Sequence, residues 1–275
     1  MLEIPETTVI SKQLNDTVKG KRIKGAVAAT SPHKFAWYFG DPAVYGELLS
    51  GRVIEYAAPY GARIEITAEG AALNIAEGAV LRYYEAGEKL PAKHQLLVTL
   101  EDDSSLVGTV AMYGGLFAFP IGAMDDEIYY KAAKEAVSPL SEAFDLDFYM
   151  ALFNERASKM SAKAFLATEQ RIPGLGNGVL QDILLNARIH PKRKMNTLSD
   201  EQQRGLFNSI KSTLAEMTEG GGRDTERDLF GNFGGYVTKL SKRTAQSFCV
   251  YCGGAIKKEA YLGGSIYYCE QCQQM

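Results

Sequence analysis

Apolar residues recur at a spacing of four near the start of the chain, at Ile10, Leu14 and Val18, and Gly20 follows as a stop signal. This pattern predicts an N-terminal helix. The period then shortens. Arg52–Tyr56, Arg63–Thr67, Val80–Tyr84, Leu96–Leu100 and Leu106–Met112 are rich in Val, Ile, Leu, Thr and Tyr, with turns rich in Gly, Pro or Asp between them. These segments read as strands, and Glu101-Asp102-Asp103 as a hairpin turn. Residues 1–125 are expected to form a β-sandwich or barrel with the helix packed on it.

The character changes near residue 140. Phe144–Glu155, Ala162–Thr168, Val179–Ala187 and Glu201–Met217 read as helices. Ser161 is a plausible N-cap, and Ser199 with Gln202 forms a capping box. Residues 218–247 lose periodicity and become rich in Gly and Arg; a loop of that length is functional or mobile. The expected division is a sandwich domain at 1–125, a linker at 126–140, a helical domain at 141–245 and a C-terminal module at 246–275. The class is α+β.

All four cysteines lie in the last 27 residues, as Cys249-x2-Cys252 and Cys269-x2-Cys272, with 16 residues between the pairs. Two such knuckles on facing strands supply the tetrahedron of soft ligands that Zn2+ prefers, so one structural zinc and a C-terminal β-hairpin are expected. A redox role needs a C-x-x-C beside a βαβ pattern, and no such pattern is read here.

Composition narrows the rest. With 46% hydrophobic and 23% charged residues, the chain can bury cores. No apolar run approaches the length of a membrane span, and no secretory signal is read at the start; paired, metal-type cysteines fit a reducing cytoplasm, and a monomer is expected. The net charge of −3 does not advertise nucleic-acid binding, but it is uneven. Residues 1–140 carry 13 Lys/Arg against 18 Asp/Glu, and residues 141–275 carry 17 against 15. Phosphate contacts should come from the second half, where Arg188, Lys192, Arg193 and Lys194 form the densest basic cluster. That cluster reads equally well as a solvated helix end.

The stretch Gln170-Arg-Ile-Pro-Gly-Leu-Gly-Asn-Gly178 runs into Val179 and on to His190-Pro191. Its glycines allow tight backbone geometry before a helix, whose free N–H groups make an anion site. Taken with the Pro-Glu start, the β-rich first half and the four-cysteine end, the chain resembles the formamidopyrimidine-DNA glycosylase / endonuclease VIII family over nearly its whole length. The resemblance implies an N-terminal β-sandwich with a helix, a helix–two-turn–helix domain and a C-terminal zinc-finger hairpin. It implies base-excision repair: N-glycosylase and abasic-site lyase activity on damaged double-stranded DNA. It assigns Glu3 and Glu6 to catalysis, and zinc to Cys249, Cys252, Cys269 and Cys272. Gly176, Asn177 and Gly178 would hold a phosphate near the lesion, with Arg188 and Arg223 as further nucleic-acid contacts.

The chain departs from the family at its chemistry. Family enzymes begin Met-Pro-Glu-Leu-Pro-Glu, and the exposed proline amine attacks the sugar. Here the start reads Met1-Leu2-Glu3-Ile4-Pro5-Glu6. Leucine is bulky beside an initiator methionine, so Met1 is expected to stay. Ala62 falls at the family's phosphate-binding lysine, with Arg63 one residue along and expected on the other strand face. Asn74-Ile75-Ala76-Glu77 falls at the segment that fills the gap of a flipped base, Tyr113-Gly114-Gly115 at the tip that enters the duplex, and Gly264 at the hairpin's phosphate-binding arginine. The expectation is a member that binds damaged DNA with lost or strongly reduced glycosylase activity. An active enzyme using another N-terminal amine, and a non-catalytic RNA- or protein-binding zinc module, stay open.

His33 and His94 stand alone, and His190 reads as a helix C-terminal cap. Trp37, beside Phe35, Tyr38 and Phe39, reads as core unless it is exposed, in which case a base-stacking role arises. Arg223, Arg227 and Lys239 border the Gly-rich loop that in the family covers an extruded base.

Overall fold

The computed structural model describes residues 2–76 and 78–275. The expectations for Met1 and Glu77 fall outside the described residues.

Helix α1 (Ile4–Thr17) begins with Pro5 in its first turn, where a missing N–H costs nothing. Ile10, Leu14 and Val18 are all buried, and Gly20 turns the chain at φ +84°. The strands β1 (Ile23–Ala28), β2 (Ala36–Trp37), β3 (Ile54–Tyr60), β4 (Arg63–Ala68), β5 (Ala71–Ala76), β6 (Ala79–Tyr84), β7 (Leu96–Leu100), β8 (Ser105–Val110) and β9 (Gly114–Pro120) follow, with the short helix α2 (Tyr45–Leu49) between β2 and β3. They form two sheets, in the orders β1-β7-β8-β6 and β2-β9-β5-β4-β3. The pairs are antiparallel except β2 with β9. Ile23, Leu81, Leu96 and Leu106 of one sheet share a core with Ile64, Ile75 and Leu116 of the other, and α1 adds Ile10 and Leu14. Strand β5 has no legible period because it is buried on both faces, so its apolar residues do not alternate. Met112, read as strand, sits past the end of β8 and is 66% exposed.

The stretch 126–140 carries a helix, α3 (Ile128–Glu135), seated by the Tyr130 hydroxyl on Glu65 Oε2 at 2.7 Å. The expected helix Phe144–Glu155 is broken into α4 (Leu146–Ala151) and α5 (Glu155–Ser158). Each has its own cap: Asp145 accepts the Phe148 N–H and Asn154 the Ala157 N–H, both at 2.8 Å. Then come α6 (Ala162–Ala167), α7 (Val179–Asn186) and α8 (Asp200–Glu219). Ser161 caps α6, and Ser199 with Gln202 forms the capping box of α8. Their core gathers Phe165, Leu180, Ile183, Leu184 and Leu214.

Two segments stitch the cores together. Leu2 belongs to the sheet core and Ile4 to the helical one; from the Gly-rich loop, Leu229 enters the first and Tyr236 the second. The chain ends in a hairpin, β10 (Ile256–Tyr261) and β11 (Gly264–Cys269), whose small core includes Leu185 of α7.

Candidate nucleic-acid interface and metal centre

The segment Leu2–Thr7 runs between the two cores and hydrogen-bonds to both. The Ile4 N–H donates to the Gly174 carbonyl at 3.0 Å, and Thr7 Oγ1 to the Gly61 carbonyl at 2.8 Å. Gly61 and Gly174 are both left-handed, at φ +59° and +83°, and their backbones touch. A Cβ on Gly61 would lie 2.8 Å from the Pro173 carbonyl carbon. The turn between β3 and β4 therefore sits directly on the Ile-Pro-Gly turn of the helical domain.

Glu3 is 4% exposed, and its carboxylate caps α7: Oε1 accepts the Gly178 N–H at 2.9 Å and Oε2 the Val179 N–H at 2.7 Å. The anion site expected at this helix start exists, and the protein's own carboxylate fills it. The Gly178 N–H, expected at a phosphate, here donates to this carboxylate. Gly176 and Gly178 serve closeness of approach. A Cβ on Gly176 would be 2.6 Å from Glu3 Oε1, and one on Gly178 would overlap the Arg223 guanidinium.

Arg223, expected as a further nucleic-acid contact, lies inside the protein. It is 2% exposed and meets Glu6 side-on, Nε to Oε1 at 2.9 Å and Nη2 to Oε2 at 2.7 Å, while Nη1 approaches Glu3 Oε2 at 3.3 Å. One buried cation thus serves two carboxylates. Glu6 takes the bidentate geometry, and Glu3 takes the single looser contact. Burial raises the Glu3 carboxyl above its ordinary value; Arg223 opposes this, Glu6 adds to it, and the two amide donors oppose it.

Leu2 is 8% exposed within the sheet core. Beside it a cavity of about 130 Å³ opens between the domains, lined by Leu2, Glu3, Ala62, Arg63, Gln170 and Gly176 among others. Arg63 was expected to turn away from Ala62, yet both line this cavity. Arg63 Nη1 also donates to Asn74 Oδ1 at 3.3 Å.

Asn177 points the other way, toward the hairpin turn, where Nδ2 donates to the Ser265 carbonyl at 3.0 Å. Gln181 joins it: Nε2 reaches the same carbonyl at 3.2 Å, and Oε1 accepts the Tyr267 N–H at 3.0 Å. Lys163, which the sequence reading passed over, donates to the Tyr261 carbonyl at 2.5 Å. It is 3% exposed, and burial lowers its pKa. A Cβ on Gly264 would lie 3.4 Å from Lys163 Nζ and 3.5 Å from Asn177 Cγ. Asn177, Lys163 and the position of Gly264 thus converge. Asp182 was also passed over. It is 1% exposed and accepts the Lys239 and Leu240 N–H groups at 2.9 and 2.8 Å and the Tyr236 hydroxyl at 3.0 Å. Adjacent polar residues inside the apolar run Val179–Leu185 were the available signal for Gln181 and Asp182.

The four cysteine sulfurs lie within 4.8 Å of one another. Cys249 and Cys272 are 3.8 Å apart, and Cys252 and Cys269 are 3.4 Å apart. A tetrahedron with Zn–S bonds of about 2.3 Å has edges of about 3.8 Å, so the donor set fits the ion. The Gly254 N–H, donating to its sulfur, and the neighbouring thiols hold Cys252 down to about 7. Burial and then the sulfurs of Cys252 and Cys249 push Cys272 up to about 12. Four thiolates at these separations need a cation among them.

The basic cluster disperses. Arg188 is exposed at φ +58°, with its guanidinium 4.2 Å from the centre of the Tyr251 ring. Lys192 pairs with Glu259, and Arg193 folds back on Thr197 and Gln202. His190 does not cap a helix: it is 5% exposed, packs edge-on against Tyr268 and accepts the Lys192 N–H at 3.1 Å. The Gly-rich loop folds onto the protein, with Leu229 buried and the Tyr83 N–H donating to its carbonyl at 3.0 Å. Arg227 stacks on Phe233 at 3.9 Å, and Lys239 Nζ meets the Tyr236 hydroxyl at 3.0 Å.

A β-sandwich and a helical domain stitched together by the N-terminal segment and the Gly-rich loop, with a four-cysteine hairpin packed on α7, define the class. Residues 136–228 match the formamidopyrimidine-DNA glycosylase H2TH domain. A formamidopyrimidine-DNA glycosylase of Pelotomaculum thermopropionicum is 30% identical over 219 residues, 74% of this chain and 77% of the relative. That of Cytobacillus firmus is 28% identical over 282 residues, 99% and 100% of the two chains. The Lactococcus lactis Fpg, solved in complex with an abasic site containing DNA, shares the fold at a TM-score of 0.83 and 21% identity, covering 99% of this chain and 100% of that one. The chain belongs to the formamidopyrimidine-DNA glycosylase family. Among the described residues, no helix is long and apolar enough to cross a membrane.

Proposed function

We propose that this chain binds damaged or abasic double-stranded DNA in the cleft between its domains and has little or no N-glycosylase activity. The observation that carries this reading is the burial of Leu2, at the position of the family's nucleophilic proline, inside an apolar core. With Met1 retained, the Leu2 nitrogen is an amide and offers no nucleophile, whereas the frame around it is ordered: Glu3 on α7, the contact between Gly61 and Gly174, and Asn177 on the hairpin. Glu3, with its raised carboxyl, is suited to hold a proton near a bound sugar. The exposed Asn177 and Arg188 are the groups we assign to the phosphate backbone. Cys249, Cys252, Cys269 and Cys272 would hold one zinc ion, which ties the hairpin against α7 and supplies no chemistry to the substrate.

The test is fluorescence anisotropy with a labelled duplex carrying a stable abasic-site analogue, compared with the intact duplex over a range of salt. The reading expects preference for the abasic duplex and an affinity that falls with salt. Equal, salt-independent or absent binding overturns it.

A further inference from the structure

Strand β6 alternates cleanly. Leu81 and Tyr83 enter the sheet core, so Arg82 and Tyr84 stand on the opposite face. There they meet the Gly-rich loop and line, with Arg227 and Phe230, a second cavity of about 420 Å³. It shares no lining residue with the cavity beside Leu2.

The loop side of this cavity is held in place. Gln13 Oε1 accepts the Leu229 N–H and Gln13 Nε2 donates to Asp228 Oδ2, both at 2.9 Å. Asp228 Oδ1 accepts the Phe230 and Asn232 N–H groups at 3.0 and 2.8 Å. The Asp228 carboxylate is thus spent on the loop and on α1. Phe230, half-exposed, stands edge-on to the Tyr83 ring at 6.1 Å.

The arginines bond only to backbone: Arg82 Nη1 donates to the Leu81 carbonyl at 2.7 Å, and Arg227 Nη1 to the Gly231 carbonyl. Among the described residues neither forms an ion pair. Burial lowers the Arg82 pKa; Asp228 and Tyr84 oppose this, and Arg227 adds to it. Two guanidinium groups held at one cavity with no bonded carboxylate repel each other, and an anion between them offsets that repulsion. Glu85 and Glu88 also line the cavity, but they are exposed where Arg82 is half-buried. Glu88 Oε2 accepts the Glu85 N–H at 2.6 Å and Glu85 Oε2 the Tyr83 hydroxyl at 3.4 Å, which leaves one oxygen of each as an acceptor.

From this donor set we infer that the cavity is a binding site for a nucleoside monophosphate. Arg82 and Arg227 take the phosphate, Phe230 and Tyr84 supply apolar surface for the ring, and Glu85 and Glu88 accept from its amino or hydroxyl groups. The volume is that of a small-molecule site. The inference goes beyond DNA binding and does not rest on it. A nucleotide here bridges β6 to the loop that carries Arg223, and so braces the partner of Glu3 and Glu6.

The test is calorimetric titration of the full-length protein with deoxyguanosine 5′-monophosphate, with deoxyguanosine and inorganic phosphate as comparisons. The site predicts one nucleotide per chain, and binding about tenfold or more weaker for either fragment. Arg82→Gln and Arg227→Gln should each weaken nucleotide binding about tenfold or more. In the unaltered protein, the nucleotide should slow hydrogen exchange in residues 82–84 and 227–231. Failure of the nucleotide to bind at millimolar concentration overturns the site. So does inorganic phosphate binding equally well, because the ring then contributes nothing. Nucleotide binding with unchanged exchange in both segments places it elsewhere and also overturns the site. Arg227 is exposed and the exchange arm uses the unaltered protein, so the matter is decided even if Arg82→Gln folds poorly.

Discussion

Glu3 Oε2 accepts the Val179 N–H at 2.7 Å across 176 residues of chain. This bond links the residue next to Leu2 to the first turn of α7, and Arg223 closes the unit by meeting both Glu3 and Glu6. The frame that positions the family's chemistry is thus a buried charged cluster.

Removing the cation from that cluster should be severe. Arg223→Met leaves two buried carboxylates without their cation, and truncation of one member of a buried ion pair costs about 3–5 kcal/mol. Urea unfolding should show that loss. A change below about 1 kcal/mol would mean that water or another cation reaches Glu6.

The pH dependence has a definite sign. Burial raises the folded-state pKa of Glu3 above its ordinary value of 4.5, so the folded chain takes up this proton more readily than the unfolded chain. Its contribution is full below 4.5 and is lost as pH rises through the raised folded value. Glu3→Gln lacks that titration. Urea unfolding across this window should show wild-type stability falling, relative to Glu3→Gln, as pH increases; a relative rise would contradict the assignment.

These two groups show what the sequence could and could not reveal. The helix α1, the strands with clean alternation, the caps at Ser161 and Ser199 and the cysteine quartet were legible, because each is local. Glu3 and Glu6 were singled out, but their partner was not: Arg223 lies 217 residues from Glu6, and pairing at that separation leaves no local signal. The same holds for Lys163, an ordinary helix lysine until the hairpin folds over it. Strand β5 and the caps at Asp145 and Asn154 were hidden differently, the first by burial on both faces and the others inside what read as one continuous helix.

The zinc site should hold the hairpin in place. We expect one zinc per chain by elemental analysis, and loss of the ion with Cys252→Ser or a strong chelator. Tyr261 and Ser265, docked on Lys163 and Asn177, should then gain hydrogen exchange while the sandwich domain does not. Unchanged exchange in residues 256–269 would show that the hairpin stands without metal.

Gly264→Arg should be a gain of function. Its backbone is not left-handed, and a Cβ there makes only ordinary contacts with Asn177 and close ones with the flexible Lys163 tip. An added phosphate contact should tighten DNA binding by about tenfold and steepen the salt dependence by about one unit. No change in affinity or salt slope would place the hairpin turn outside the interface.

The central claim, a DNA-binding family frame around an apolar Leu2, meets its most direct test in borohydride trapping on an abasic-site duplex, scored by gel shift and by mass spectrometry under conditions where binding is verified. The account predicts a bound complex with no covalent adduct. An adduct mapped to the N-terminal amine would show that the chain retains the chemistry of its family.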